Sequence, residues 1–93
     1  MILEDERIDL DMYLSEVPRR LDVLRVLKYE ERISIEDLAR KLNLDVETVK
    51  NLLRDVEAMG LVDTREELDK GRITLTTRLS YRGVKYLRTK GLL

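Results

Sequence analysis

The most constraining feature of the chain is the stretch 34–62, in which a tight turn joins two short helical patterns. Ser34 stands where an N-cap is needed for the first helix. Asn43 is a residue type that readily takes the left-handed conformation that ends a helix. Asp45 then caps a second helix, which Gly60 ends. The stretch therefore predicts two helices set at a steep angle by a short turn.

The second of these helices is amphipathic. Its apolar residues recur at helical spacing. They are Val49, Leu52, Leu53 and Val56. With this stripe buried, the opposite face is exposed, and a helix of this size fits the major groove of DNA.

An additional helix is predicted before this pair. Ser15 is its expected N-cap, and Pro18 is tolerated in the first turn. Apolar residues follow at helical spacing. They are Val17, Leu21, Leu24 and Leu27.

After Gly60 the pattern changes from helix to strand, and residues 61–77 predict a hairpin. Gly71 supplies the positive φ for its turn. Alternation along the second arm places Ile73 and Leu75 toward the core and Thr76 toward solvent.

The two ends of the chain have contrasting patterns. Residues 1–14 form an arm in which the apolar residues at 8, 10, 12 and 14 alternate with Asp9, Asp11 and Tyr13, which favours a strand, with an N-terminal helix as the alternative. Residues 79–90 predict a last helix capped by Ser80, in which Gly83 would allow close approach to another helix.

The run 52–62, with the sequence LLRDVEAMGLV, resembles the passage from recognition helix to wing in winged helix-turn-helix transcriptional regulators, of MarR-like or small archaeal type. Residues 79–83 are similar to the Leu-Thr-x-x-Gly ending of such proteins. The resemblance implies an α+β winged-helix fold in one domain, 1–93. A helical core at 15–62 would carry the helix-turn-helix, the hairpin at 61–77 would be the wing, and 79–90 would be the last helix.

The resemblance also implies binding to double-stranded DNA by a small transcriptional regulator. The recognition helix then supplies base contacts, since amide and guanidinium groups can pair with adenine and guanine edges. These candidates are Glu47, Thr48, Lys50, Asn51 and Arg54. Candidate contacts to phosphate are Arg40, Lys41, Arg65, Lys70 and Arg72, with Arg19 and Arg20 as further ones. The alternative for each is an ordinary solvated side chain in a local ion pair.

A homodimer is expected, because one recognition helix contacts only a few base pairs. Its candidate interface combines the arm with the last helix. The residues are Ile8, Leu10, Met12, Leu14, Gly83, Val84 and Leu87. Residues 1–16 hold six acids and one base, while residues 72–93 hold six bases and no acid. The two ends should therefore attract each other, within a chain or across a dimer.

The overall charge favours an alternative function. The chain has 18 basic and 19 acidic residues, whereas DNA-binding domains usually carry a basic surface. Residues 36–57 hold six acids and four bases. The alternative is a winged helix that binds protein in a transcription, replication or chromosome-segregation assembly.

Composition argues against an enzyme. The chain has no Cys and no His, which removes the usual zinc ligands and the commonest general base. Adjacent carboxylates point apart, and no glycine-rich phosphate loop is present. We therefore expect no catalytic site, no metal, no cofactor and no inferable small-molecule ligand.

Composition also bears on location and source. No apolar run is long enough for a transmembrane helix, and the acidic N-terminus is unlike a signal peptide, so a cytoplasmic protein is expected. Gln, Phe and Trp are absent, while Glu, Lys and Arg are abundant. This composition favours a thermophile, and an archaeon in particular, as the source.

Overall fold

The structure is a computed structural model that describes residues 9–93. The described chain is α+β, as predicted. Its helices and strands follow in the order α1 (Leu10–Glu16), α2 (Arg19–Leu27), β1 (Ile33–Ser34), α3 (Ile35–Leu42), α4 (Val46–Ala58), β2 (Val62–Asp69), β3 (Arg72–Leu79) and α5 (Tyr81–Thr89). The strands form an antiparallel sheet in the order β1-β3-β2.

Local hydrogen bonds fix the helix pair α3–α4. The hydroxyl of Ser34 accepts the Asp37 N–H at 3.1 Å at the start of α3. Asn43 takes the left-handed conformation, with φ 57° and ψ 44°, at its end. The carboxylate of Asp45 accepts the Thr48 N–H at 3.2 Å at the start of α4. These contacts confirm the predicted helix-turn-helix.

The hydrophobic core lies where α2, α3 and α4 meet the base of the hairpin. Val49, Leu52 and Val56 are buried, as the apolar stripe predicted. Val23 and Leu24 of α2 pack into the same cluster. This packing holds α4 with its opposite face toward solvent.

The N-terminal segment is helical where the structure describes it, so the predicted strand is wrong and the alternative holds. Asp9 caps α1 by accepting the Met12 N–H at 3.2 Å. Leu14 is buried, with 2% of its surface exposed. Leu10 and Leu14 are four residues apart, so their spacing fits a helix as well as a strand. Ile8 lies outside the described residues.

The predicted cap of α2 is also wrong. Ser15 lies within α1, where its hydroxyl donates to the Met12 carbonyl at 2.9 Å. Pro18 occupies the N-cap position of α2 and makes no side-chain capping bond. The residue after it begins the helix, in keeping with the fixed φ of proline.

The hairpin β2–β3 is longer than its predicted span and closes through a two-residue turn. Pairing runs from Val62 opposite Leu79 to Asp69 opposite Arg72. Lys70 and Gly71 both have positive φ, at 53° and 79°. This combination defines a type I′ turn, which matches the twist of the strands.

The predicted orientation of the hairpin side chains is partly wrong. Ile73 is 71% exposed, and its cross-strand partner Leu68 is 76% exposed. Thr76, expected in solvent, is only 7% exposed. The tip extends past the core and covers nothing, whereas β1 pairs with β3 at Thr76 and encloses the base.

Gly83 lies in α5 against the backbone at the start of β2, not against another helix as predicted. A Cβ at this position would lie 2.1 Å from the Leu61 carbonyl oxygen. Ser80 fixes the approach, since its hydroxyl donates to the Gly60 carbonyl at 2.5 Å and accepts the Gly83 N–H at 3.0 Å. Leu87 of the same helix is fully buried.

The acidic and basic ends of the chain meet within one molecule. The carboxylate of Asp11 in α1 accepts the Lys90 ammonium at 2.6 Å and the Tyr86 hydroxyl at 2.5 Å. Hydrogen bonds from Lys90 and then Tyr86 hold the pKa of Asp11 below its usual range. Partial burial, and then the bond to Asp11, raises the pKa of Tyr86.

This contact predicts a pH response. One of the four tyrosines should ionise above the usual tyrosine pKa of about 10, and Asp11→Ala should move that step back toward it. Because the raised pKa belongs to the folded state, folding should weaken as the pH rises above about 10. Tyrosinate absorbance measures the step, and Tyr86→Phe should remove it. A titration in which no tyrosine step lies above the usual range would contradict the contact.

Candidate nucleic-acid interface

Three exposed side chains of α4 form one stripe opposite the core. Glu47, Asn51 and Arg54 are spaced four and three residues apart, so they share a face of the helix. That face is turned away from the buried Val49 and Val56. We call Glu47, Asn51 and Arg54 the outward stripe.

Two members of the outward stripe are hydrogen-bonded to each other. Nη1 of Arg54 donates to Oδ1 of Asn51 at 2.8 Å. The amide oxygen therefore accepts from the guanidinium, while the amide NH₂ of Asn51 and the other N–H groups of Arg54 are donors. The i,i+3 spacing of these residues was the sequence signal for this pair.

The other two predicted base-contact residues lie beside the stripe. The Thr48 hydroxyl donates to the Asp45 carboxylate at 2.6 Å, so it belongs to the helix cap. The hydrogen bonds from Thr48, with its hydroxyl first, hold the pKa of Asp45 below its usual value. Lys50 is half-buried and lines a cleft between α4 and the wing, which it shares with Glu57 and Glu66.

The two residues of α3 that were predicted to contact phosphate already have acidic partners. Arg40 forms an ion pair with Asp37, one turn earlier in α3. Lys41 lies 3.5 Å from the Glu30 carboxylate. All four side chains are at least partly exposed, so water and salt weaken these pairs.

Arg20 has a structural position that the sequence did not reveal. Its Nε donates to the Asp55 carboxylate at 3.1 Å, and its Nη1 donates to the Tyr13 carbonyl at 2.7 Å. The guanidinium lies over the Tyr13 ring, 3.9 Å from its centre. The Tyr13 hydroxyl completes the cluster by donating to the Asp55 carbonyl at 3.1 Å. Arg20 therefore connects α1 and α2 to α4 instead of facing phosphate, whereas Arg19 is exposed.

The tip of the wing presents two exposed cations. Lys70 and Arg72 make no ion pair with any described residue. Arg65, by contrast, lies 3.0 Å from the Glu67 carboxylate on the same strand. The tip is thus the part of the wing where two cations are exposed without a described acidic partner.

Arg32 fixes the base of the wing. Its Nη2 donates to the Asp63 carboxylate at 2.9 Å. Its Nη1 lies 3.1 Å from the Thr76 hydroxyl and within 3.3 Å of the carbonyls of both residues. Arg32 thus joins β2 to β3 beside β1, and sequence patterns gave no signal for this role.

The structure corrects part of the predicted dimer interface. Leu14, Gly83 and Leu87 are buried within their own chain, so they are not available to a second copy. Met12 is 60% exposed, while Leu10 and Val84 are half-buried. An interface on this side would therefore use α1 and the edge of α5.

Two further properties bear on function. Within residues 9–93, every helix is too short or too polar to reach across a lipid bilayer. The same residues contain no cluster of carboxylates that could hold a metal ion.

The capped helix pair, the outward-facing α4 and the two-stranded wing define a winged helix-turn-helix domain. The chain belongs to the HVO_A0114 family, which it matches over residues 17–85. It is also similar to an uncharacterized HTH-type transcriptional regulator, YdgJ, of Bacillus subtilis (strain 168). The two are 38% identical over 64 residues, which is 69% of this chain and 38% of YdgJ. The chain therefore spans well under half of that relative's length.

Solved structures share the fold. A transcriptional regulator homologue from Pyrococcus horikoshii OT3 superposes with a TM-score of 0.74 and 19% identity, over 84% of this chain and 76% of that one. MepR from S. aureus, solved in complex with DNA, superposes with a TM-score of 0.70 and 22% identity, over 88% of this chain and 69% of MepR. The winged-helix fold is confirmed. The matches are to transcriptional regulators, a non-enzymatic class, as expected for this chain.

Proposed function

We propose that the chain binds double-stranded DNA sequence-specifically as a transcriptional regulator. The observation that carries this proposal is the outward stripe, which places hydrogen-bonding groups on the exposed face of a helix that fits the major groove. Two similar proteins support it, since MepR was solved in complex with DNA and YdgJ is described as a transcriptional regulator.

In the proposed complex, α4 lies in the major groove and the wing lies over the adjacent backbone. Lys70 and Arg72 contact phosphate, which contributes affinity without sequence preference. Arg40 and Lys41 exchange their weak ion pairs for phosphate contacts. The regulator acts in the cytoplasm by occupying an operator, where it blocks or recruits the transcription machinery.

A mobility shift against genomic fragments tests the proposal. At low and moderate salt, a subset of fragments should be retarded at lower protein concentration than random DNA. If no DNA is retarded at any salt, the surface acids favour the alternative of a protein-binding winged helix. Glu36, Glu57 and Glu66 are exposed and would suit such a role.

The wing cation Lys70 gives a quantitative prediction. Lys70→Ala should weaken binding to specific and random DNA alike, and should lower the slope of log affinity against log salt by about one, because one phosphate contact is lost. Lys85→Ala is the matched control, since Lys85 is an exposed lysine of α5 and belongs to neither α4 nor the wing. A Lys70→Ala slope equal to that of the unaltered protein would exclude a wing contact.

The homodimer is part of the proposal, because two recognition helices about 34–36 Å apart would contact successive major grooves. Sedimentation should report about twice the mass of one chain. Met12→Glu should reduce the sedimenting mass to that of a single chain, because it places a charge on the α1 surface. Leu68→Glu is the control, since Leu68 is an even more exposed apolar residue but lies on the wing. A monomer at high concentration that still binds DNA tightly would contradict the dimer.

The thermophilic source stays a prediction.

A further inference from the structure

The outward stripe carries opposite hydrogen-bonding chemistry at its two ends. Glu47 lies in the first turn of α4, and its carboxylate only accepts hydrogen bonds. Arg54 lies seven residues later, and its guanidinium only donates. At 1.5 Å per residue the two are separated by about 10 Å along the helix, which corresponds to about three base-pair steps.

Asn51, between them, has its acceptor directed to Arg54. An asparagine reads adenine by accepting from N6 and donating to N7 at the same time. In this structure Oδ1 of Asn51 accepts from Nη1 of Arg54 at 2.8 Å. The oxygen needed for the adenine amino group is thus engaged with the guanidinium. Asn51 and Arg54 together offer donors to the groove.

Paired donors match guanine, whose major-groove edge carries the acceptors N7 and O6. The bond to Asn51 uses one of five guanidinium N–H groups and restrains the side chain before DNA arrives. Restraining a long side chain in advance lowers the entropy lost on binding.

Glu47 has the chemistry to read cytosine. It is exposed and has no ion-pair partner among residues 9–93. Against phosphate a carboxylate is repulsive, but it can accept from the cytosine N4 amino group in the major groove. Its place in the first turn is where helices in the groove contact base edges.

We propose that Arg54, positioned by Asn51, recognises a guanine and that Glu47 recognises a cytosine about three base pairs away. This inference rests on the proposed DNA-binding function and deepens it by naming the bases. Asn51 acts here as a positioning residue, not as a reader of adenine.

Selection of bound duplexes from a random pool tests the bases. The full chain should enrich G·C pairs at two positions about three base pairs apart. Arg54→Ala should lose the guanine preference by about tenfold or more, and Glu47→Gln should lose the cytosine preference at the other position. Lys85→Ala, which removes an exposed cation of α5, should keep both preferences. Selection of A·T pairs at both positions would overturn the inference.

Asn51→Asp separates positioning from adenine recognition. Aspartate keeps an acceptor for Arg54 but has no amide donors, so the guanine preference should survive. Asn51→Ala removes the acceptor and should weaken that preference. If the unaltered protein instead selects adenine and Asn51→Asp abolishes this, Asn51 reads adenine and the inference is wrong.

Base analogues place the contact on the guanine edge. A 7-deaza analogue, which lacks N7, should weaken binding of the unaltered protein and leave Arg54→Ala unaffected. Inosine keeps both major-groove acceptors and should bind as guanine does. Thermal unfolding confirms that each variant is folded, since all these positions lie outside the core. Failure to bind any duplex defeats the proposed function, whereas binding without these G·C preferences defeats this inference alone.

Discussion

Replacing Gly83 by alanine is expected to destabilise the fold by about 3 kcal/mol or more, although alanine favours helix over glycine by about 1 kcal/mol. The added Cβ would lie 2.1 Å from the Leu61 carbonyl oxygen and 3.1 Å from its carbon. Helix α5 cannot easily retreat, because Ser80 bonds to the Gly60 carbonyl and Leu87 is fully buried. Net stabilities of about 5–15 kcal/mol make this loss severe.

Urea unfolding measures the effect of Gly83→Ala. The control is Lys85→Ala, which changes an exposed residue of the same helix and should stay within about 0.5 kcal/mol of the unaltered chain. If Gly83→Ala were as stable as that control, the close contact between α5 and the Leu61 backbone would be disproved.

Replacing Arg32 by methionine is expected to cost about 2–3 kcal/mol, because a hydrogen-bonded charge is removed and its partners at the wing base lose their donor. The Arg32 side chain is 13% exposed and bonds to Asp63 and Thr76. Amide hydrogen exchange should also become faster at the start of β2 and the end of β3, since Arg32 joins the two strands there.

Arg78 provides a matched control for Arg32. Its Nε lies 3.5 Å from the same Asp63 carboxylate oxygen, but its side chain is 55% exposed. Arg78→Met should therefore change stability by no more than about 1 kcal/mol. Equal losses for the two variants would show that burial does not distinguish these contacts.

The features predicted correctly are those set by neighbours in sequence. Ser34, Asp45 and Ser80 cap their helices through a backbone N–H three residues on, and the residue types alone indicate this. The turn at Gly71 and the buried stripe of α4 depend equally on local spacing. Local interactions therefore predicted the helix-turn-helix and the hairpin.

The features predicted wrongly depend on distant contacts. Spacing of Leu10 and Leu14 fits strand and helix alike, and burial of Leu14 against the core selects the helix. Alternation along β3 predicts two faces but not which one is covered, which depends on β1 and Arg32. The candidate site shows the same division. Asn51 and Arg54 are one turn apart, whereas Arg20 meets Asp55 across 35 residues.

The cluster of Tyr13, Arg20 and Asp55 connects the rear of α4 to α1, and Asp11 connects α1 to α5. One end of the molecule is thus in hydrogen-bonded continuity with the surface proposed to meet DNA. A ligand or subunit that binds α1 and raises the affinity of the domain for DNA by some factor is subject to thermodynamic reciprocity. DNA must then raise the affinity for that ligand or subunit by the same factor. Binding of such a partner to α1 would then change the affinity for DNA, in addition to the structural role of α1 in packing against the rest of the domain.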